Sequence, residues 1–170
     1  MQKDKQEKHV ASQLKSLILP VTVVLIVPGI IVWLTGFRVG WGLQMPMEAV
    51  IVLIGAVMIG NGVYYLAMCI WIFMKIGNGT LAPWEPPKKL VIFGPYRSVR
   101  NPMISSVLLV LLGESIAFGS IGIFIWFVLF FGINHVYFVF SEEPALEKRF
   151  GEEYRVYKKN VPRWIPRWRW

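Results

Sequence analysis

Cysteine occurs once in the 170 residues, at Cys69, so no disulfide can form within the chain. Histidine occurs twice, at His9 and His135, far apart in sequence, and with one cysteine they make no metal-binding set. No Walker-type or dinucleotide-type glycine pattern is present, and no Ser/His/Asp set can be placed. Internal repeats and low-complexity tracts are also missing. Charge is scarce. Charged residues are 16% of the chain, against about 25% in ordinary soluble domains, while apolar residues reach 55% and mean hydropathy is +0.53. These values exclude a disordered chain, a collagen-like chain and an ordinary soluble globule. Acids are the scarcer sign, 10 against 18 Lys and Arg, which leaves a net charge of +8. A basic, apolar chain is either a nucleic-acid binder or a membrane protein with its bases on one side. Where the bases fall decides between them.

Long uncharged runs are what the chain does have. Leu17 to Phe37 holds no charge in 21 positions, and about 20 apolar residues cross a bilayer core as a helix. A signal peptide would have a shorter apolar stretch and a small-residue cleavage site, so a retained helix is expected. Pro20 and Pro28 predict that this helix is irregular and that a neighbour satisfies the carbonyl they free. Further spans are expected at 49–74, 102–118 and 123–140, the third broken by Glu114. Four spans put both termini on one side. That side holds 17 of the 18 bases: four before the first span, five in loop 75–101 and eight in tail 141–170. Arg38 alone lies opposite. The positive-inside rule then predicts N-in, C-in topology, with no nucleic-acid partner and the chemistry facing the cytoplasm. The expected fold class is all-α and integral to the membrane, with about four transmembrane helices. A C-terminal amphipathic cytoplasmic helix follows, and 1–170 forms a single domain.

That last helix is read over Ser141 to Val161. Leu146, Phe150, Tyr154, Tyr157 and Val161 recur at helical spacing, which suits a helix lying on the membrane interface. Counting back by four from Glu142 gives Phe138 and Asn134, with His135 one step round. Such a polar stripe faces a ligand or makes interhelical hydrogen bonds, since lipid would make it costly. Either Glu142 or Glu143 could also serve only as a helix cap. Glu114 is open to a structural hydrogen bond or a catalytic role. The alternating Arg and Trp residues from Arg163 to Trp170 suit anchoring at headgroup level. Loop 75–101 carries the densest pattern. Its Pro-rich stretch, Gly79 to Pro87, leads to Tyr96, Arg97, Arg100 and Asn101 at the mouth of the third span. The arginines suit bidentate anion recognition, and Pro102 suits a helix start. Two positive-inside arginines above a helix start would give the same spacing.

Gly94-Pro95-Tyr96-Arg97-Ser98-Val99-Arg100-Asn101-Pro102-Met103 resembles a motif of the isoprenylcysteine carboxyl methyltransferase and phospholipid methyltransferase group. Glu142-Glu143-Pro144-x-Leu146, continuing through Phe150-Gly151, Tyr154 and Tyr157 to Val161-Pro162-Arg163-Trp164-Ile165-Pro166, resembles its second motif. The resemblance covers Gly79 to Pro166. It implies an integral-membrane enzyme that uses S-adenosylmethionine, with S-adenosylhomocysteine as product, and a lipid-like substrate drawn from the bilayer. No metal is implied. By the same resemblance Tyr96, Arg100, Asn101, Pro102 and Met103 line the cofactor or substrate site and Glu142 and Glu143 are its carboxylates; Arg97 and His135, beside them in sequence pattern, are added as cofactor-binding candidates. Arg100, Glu142, Glu143 and His135 are the catalytic candidates: an arginine to orient a carboxylate acceptor, or Glu142, Glu143 or His135 to take a proton from an amine. Asn101 stands where the group commonly has His, and Ile104 where Tyr is frequent. With the Pro-Trp-x-Pro-Pro stretch upstream, this resembles a bacterial branch, which implies the bacterial cytoplasmic membrane. Membrane sterol reductases resemble the same group and use NADPH, which gives an alternative. A small transporter or assembly protein is another. Oligomeric state is left open.

Overall fold

A computed structural model describes residues 18–76 and 89–166. The basic N-terminal segment, the Pro-rich stretch Gly79 to Pro87 and the residues Arg167 to Trp170 lie outside the described residues. Every regular element among the described residues is helical. We name α1 (Ile18–Thr35), α2 (Met47–Ile76), α3 (Pro102–Ala117), α4 (Ile121–Tyr137), α5 (Glu143–Phe150) and α6 (Glu152–Asn160). A short 3-10 turn, Gly94–Arg97, precedes α3. Three stretches are long and apolar enough to cross a membrane: Ile18–Thr35, Met47–Ile72 and Ile121–Phe150. The remaining apolar helix, α3, has 16 residues, about 24 Å at 1.5 Å per residue. It is the most enclosed of the helices and packs along α2.

In α1 the expected irregularity is a π turn over Thr22–Ile26. The Val27 N–H bonds back to Thr22 O. The next residue, Pro28, has no N–H, so the Val23 carbonyl is left over. The Trp126 indole on α4 donates to it at 3.1 Å. An unmet carbonyl in lipid would cost several kcal/mol by the logic of apolar transfer, roughly 2–7. That bond therefore fixes α1 against α4. Around it Val24, Val107, Val110 and Leu111 form a buried cluster, with Phe127 and Phe130 packed on it.

The α2–α3 pair owes its closeness to glycine. A Cβ on Gly55 would sit 2.7 Å from Gly113 O and 2.7 Å from Ala117 N; one on Gly113 would sit 2.8 Å from Gly55 O. Those neighbours are backbone and cannot turn aside. Lipid gives helices no hydrophobic reason to associate, so close small-residue contact is what holds such a pair. We expect Gly113→Ala to destabilise by about 1–3 kcal/mol, the usual cost of overpacking. Gly132→Ala is the control, because nothing lies within 4 Å of its Cβ position. Equal melting temperatures for the two variants in detergent would refute this packing account.

At the end of the helices away from the acidic pair, Glu48 accepts hydrogen bonds from the N–H groups of Gly42 (3.2 Å) and Leu43 (2.9 Å). The same loop closes on the end of α3, with Gly40 N donating to Ala117 O at 2.8 Å and the Trp41 indole to Ile116 O at 3.0 Å. Gly119, at φ +59°, touches the Gly40 backbone and has no room for a side chain. Ser120 then caps α4 by accepting from Ile123 N at 3.3 Å.

The amphipathic helix expected over Ser141 to Val161 is not one helix. The helix itself continues past 140: α4 passes through a π turn, Phe138–Glu142, straight into α5. Pro144 explains the wide turn, since it has no N–H for the preceding turn and its ring crowds the carbonyl four residues back. Gly151, at φ +57°, then breaks the chain direction between α5 and α6. The stripe of Leu146, Phe150, Tyr154, Tyr157 and Val161 packs on itself and on Leu90, as a small core.

Candidate functional site

The π turn decides which acid faces inward. A regular helix would put Asn134, Phe138 and Glu142 on one face. One extra residue in the turn rotates everything beyond it by about 100°, a helical step of 3.6 residues per turn. Glu143 therefore takes the inward position, and its side chain is only 4% exposed. Glu142 is half-buried and forms no ion pair among the described residues.

Glu143 meets three cations. Arg163 forks onto it, Nε to Oε1 at 2.7 Å and Nη2 to Oε2 at 3.0 Å. Lys158 Nζ lies 3.4 Å from Oε2, and Arg100 Nη1 lies 3.0 Å from Oε1. The Arg100 contact is close but off the line of its N–H bonds. Among the described residues its buried Nε and Nη1 have no hydrogen-bond partner, and neither has the neighbouring Asn101 Nδ2. Asn101 precedes α3 but does not cap it. Three buried donor atoms on these two adjacent residues thus make no hydrogen bond among the described residues. Native interiors seldom leave such groups unmet unless a ligand or water meets them.

The tail closes over this point. Pro162 O accepts from Arg100 N at 2.9 Å, and the Tyr157 hydroxyl donates to Tyr96 O at 2.7 Å. Tyr154 is buried beside Arg100. Its phenol is raised to about 12, by burial first and by the Glu143 charge second, while Arg100 pulls the other way. Tyr96 is pushed up from its ordinary value by burial, with Cys69, Tyr157 and Glu142 adding to the effect.

Not all the expected residues gather here. Arg100, Asn101, Glu142 and Glu143 do. Tyr96 and Met103 turn into a core with Cys69, Ile72 and Val91, and contribute shape. Pro102 is buried at the first turn of α3. Arg97 is exposed, over the Phe93 ring at 5.8 Å. His135 lies deeper, and its Nδ1 accepts from the Trp164 indole at 3.1 Å. A neutral imidazole with an occupied Nδ1 carries its proton on Nε2, so it has no free lone pair for a base. Among the described residues Asn134 bonds only to Phe130 O of its own helix. Glu114 is buried with Oε2 unpartnered, 12 residues along α3 from Pro102, about 18 Å from the site by helical rise.

The sequence reading missed Tyr154, Tyr157, Lys158 and Arg163 as site-builders, and treated Trp164 as a headgroup anchor. Trp164 instead packs among Phe131, His135 and Phe138. The signal was present: an acid pair in an acid-poor chain, and an Arg-Trp pair fixed between Pro162 and Pro166. A shallow groove of about 460 Å³ lies between Ile92 and α6, on the outer side of Tyr157 and Val161. No group of three His, Cys, Asp or Glu side chains among the described residues is placed to hold a metal.

The fold and site define an all-helical integral membrane protein with a buried cluster of cations and acids at one end of its helices. A model of the phospholipid methyltransferase family matches residues 49–153, more than half of the chain, with nearly all of α2 and the whole of α3 to α5. The chain belongs to that family, which makes it a membrane methyltransferase of a family acting on lipids. It is also 35% identical over 63 residues to an uncharacterized protein of Haemophilus influenzae, covering all of that protein and 37% of this chain.

Proposed function

We propose that the chain transfers the methyl group of S-adenosylmethionine to a carboxylate or amine of an isoprenoid or phospholipid, at the cytoplasmic face of a bacterial inner membrane. The observation that carries this is the set of buried donors on Arg100 and Asn101 that meet no hydrogen-bond partner among the described residues, beside Glu143 and inside the family match. The residues fit the cofactor. Convergent donors suit its carboxylate, and a carboxylate without a cation suits its ribose hydroxyls. When bound, S-adenosylmethionine supplies an electrophilic methyl on a sulfonium. The protein's part is alignment and exclusion of water. Arg100 and Asn101 hold the anionic end. Glu142 accepts from hydroxyls, or takes the proton of an amine acceptor. Tyr96, Pro102 and Met103 set the wall on the α3 side. His135 offers its Nε2–H, and Arg97 draws anions from outside. Glu143 holds the cations in register.

Titration of the purified protein with S-adenosylhomocysteine, by calorimetry or thermal shift, is expected to give saturable binding. NADP is expected to give none. A response to NADP alone would select a reductase and sink the proposal. Methyl-labelled cofactor incubated with membrane extracts is expected to place label in the lipid fraction.

A further inference from the structure

We propose that Arg163, ten residues beyond the family match, is a positioning residue that keeps Arg100 open to an anionic ligand. This rests on the reading of Arg100 as the group that holds the cofactor's carboxylate. Glu143 is the only acid paired with Arg100 among the described residues. A carboxylate has two oxygens, and two parallel N–H bonds from one guanidinium satisfy it best. Arg163 supplies that fork at 2.7 and 3.0 Å. Arg100, 10% exposed and nearer the interior than Arg163 at 20%, stands 3.0 Å away and is left out of line. Attraction between charges holds it close, and its Nε and Nη1 make no hydrogen bond among the described residues.

Without Arg163, Arg100 is the remaining guanidinium at that carboxylate. Lys158 cannot fork, because an ammonium is a point donor. Arg100 would turn onto Glu143, and the donors meant for the ligand would be lost. The tail is also tied to Arg100 directly, through the hydrogen bond from Arg100 N to Pro162 O. The segment that carries Arg163 is therefore registered on the residue it serves.

The test uses the full chain in nanodiscs, with S-adenosylhomocysteine as the probe. If the wild type does not bind it, the methyltransferase reading fails. If Arg100→Ala binds like the wild type, the site assignment fails. With both controls in place, Arg163→Ala is expected to weaken binding by about ten-fold or more, the value of one charge-assisted hydrogen bond. Adding Glu143→Gln removes the carboxylate that captures Arg100. The double variant is then expected to bind within about three-fold of Glu143→Gln alone, as a coupled pair predicts. A merely structural Arg163 gives a double variant no better than Arg163→Ala, and that result overturns the proposal. Should Arg163→Ala fail to fold, Arg163→Gln keeps the bulk and one donor and is read in the same way. Wild-type affinity in the folded Arg163 variant also overturns it.

Discussion

Arg100→Ala is expected to abolish measurable S-adenosylhomocysteine binding and to lower kcat/KM for methyl transfer by about 100-fold or more. Two charge-assisted hydrogen bonds, each about 1.5–3 kcal/mol, are at stake. The fold is expected to survive, because Glu143 keeps Arg163 and Lys158 as partners. Arg100→Lys is expected to recover little, since an ammonium cannot offer Nε and Nη together. Calorimetry reads the binding, and circular dichroism in detergent reads the fold. A folded Arg100→Ala protein with unchanged affinity would rule out Arg100 as the anion-binding group.

Glu143→Ala is expected to produce the largest loss of stability among single changes at the site. It strands Arg100, Lys158 and Arg163 around a void, two of them with little solvent. Removing one member of a buried pair costs about 3–5 kcal/mol, because the partner charge stays behind uncompensated. The comparison is Glu142→Ala, which removes a carboxylate with no ion pair. It is expected to melt within about 0.5 kcal/mol of wild type, the usual range for a change away from such features, yet to lose cofactor binding. Thermal unfolding and titration together separate the two acids. If Glu143→Ala melts like the wild type, the cation cluster does not hold the tail.

These two adjacent acids mark the limit of what the sequence discloses. Sequence reasoning places both at the membrane exit of the last span and treats them alike. It counts by four along a regular helix and puts Glu142 in the stripe. The π turn forced by Pro144 adds one residue to that count and hands the inward place to Glu143. Pro28 gives the contrasting case. There the sequence predicts an irregular helix and a freed carbonyl, because the missing N–H is a property of one residue. It cannot predict that Trp126, 103 residues away, supplies the donor. The aromatic stripe of α6 shows the same boundary. Its helical period is legible, but a stripe facing lipid and a stripe facing Leu90 have identical spacing.

The sequence by itself determined the class: uncharged runs of bilayer length, bases gathered in the segments on one side of those runs, and two motifs that place the chain in a methyltransferase family. These are properties of composition, order and short-range spacing, and they survive without coordinates. Tertiary structure alone decided who meets whom. It turned Tyr96 into the core, sent Trp164 to His135, and brought Arg163 across 20 residues to Glu143, so that Arg100 keeps its donors unmet. The reason is physical. A buried charge must find its partner wherever the fold carries it, and chain separation says little about which cation arrives first.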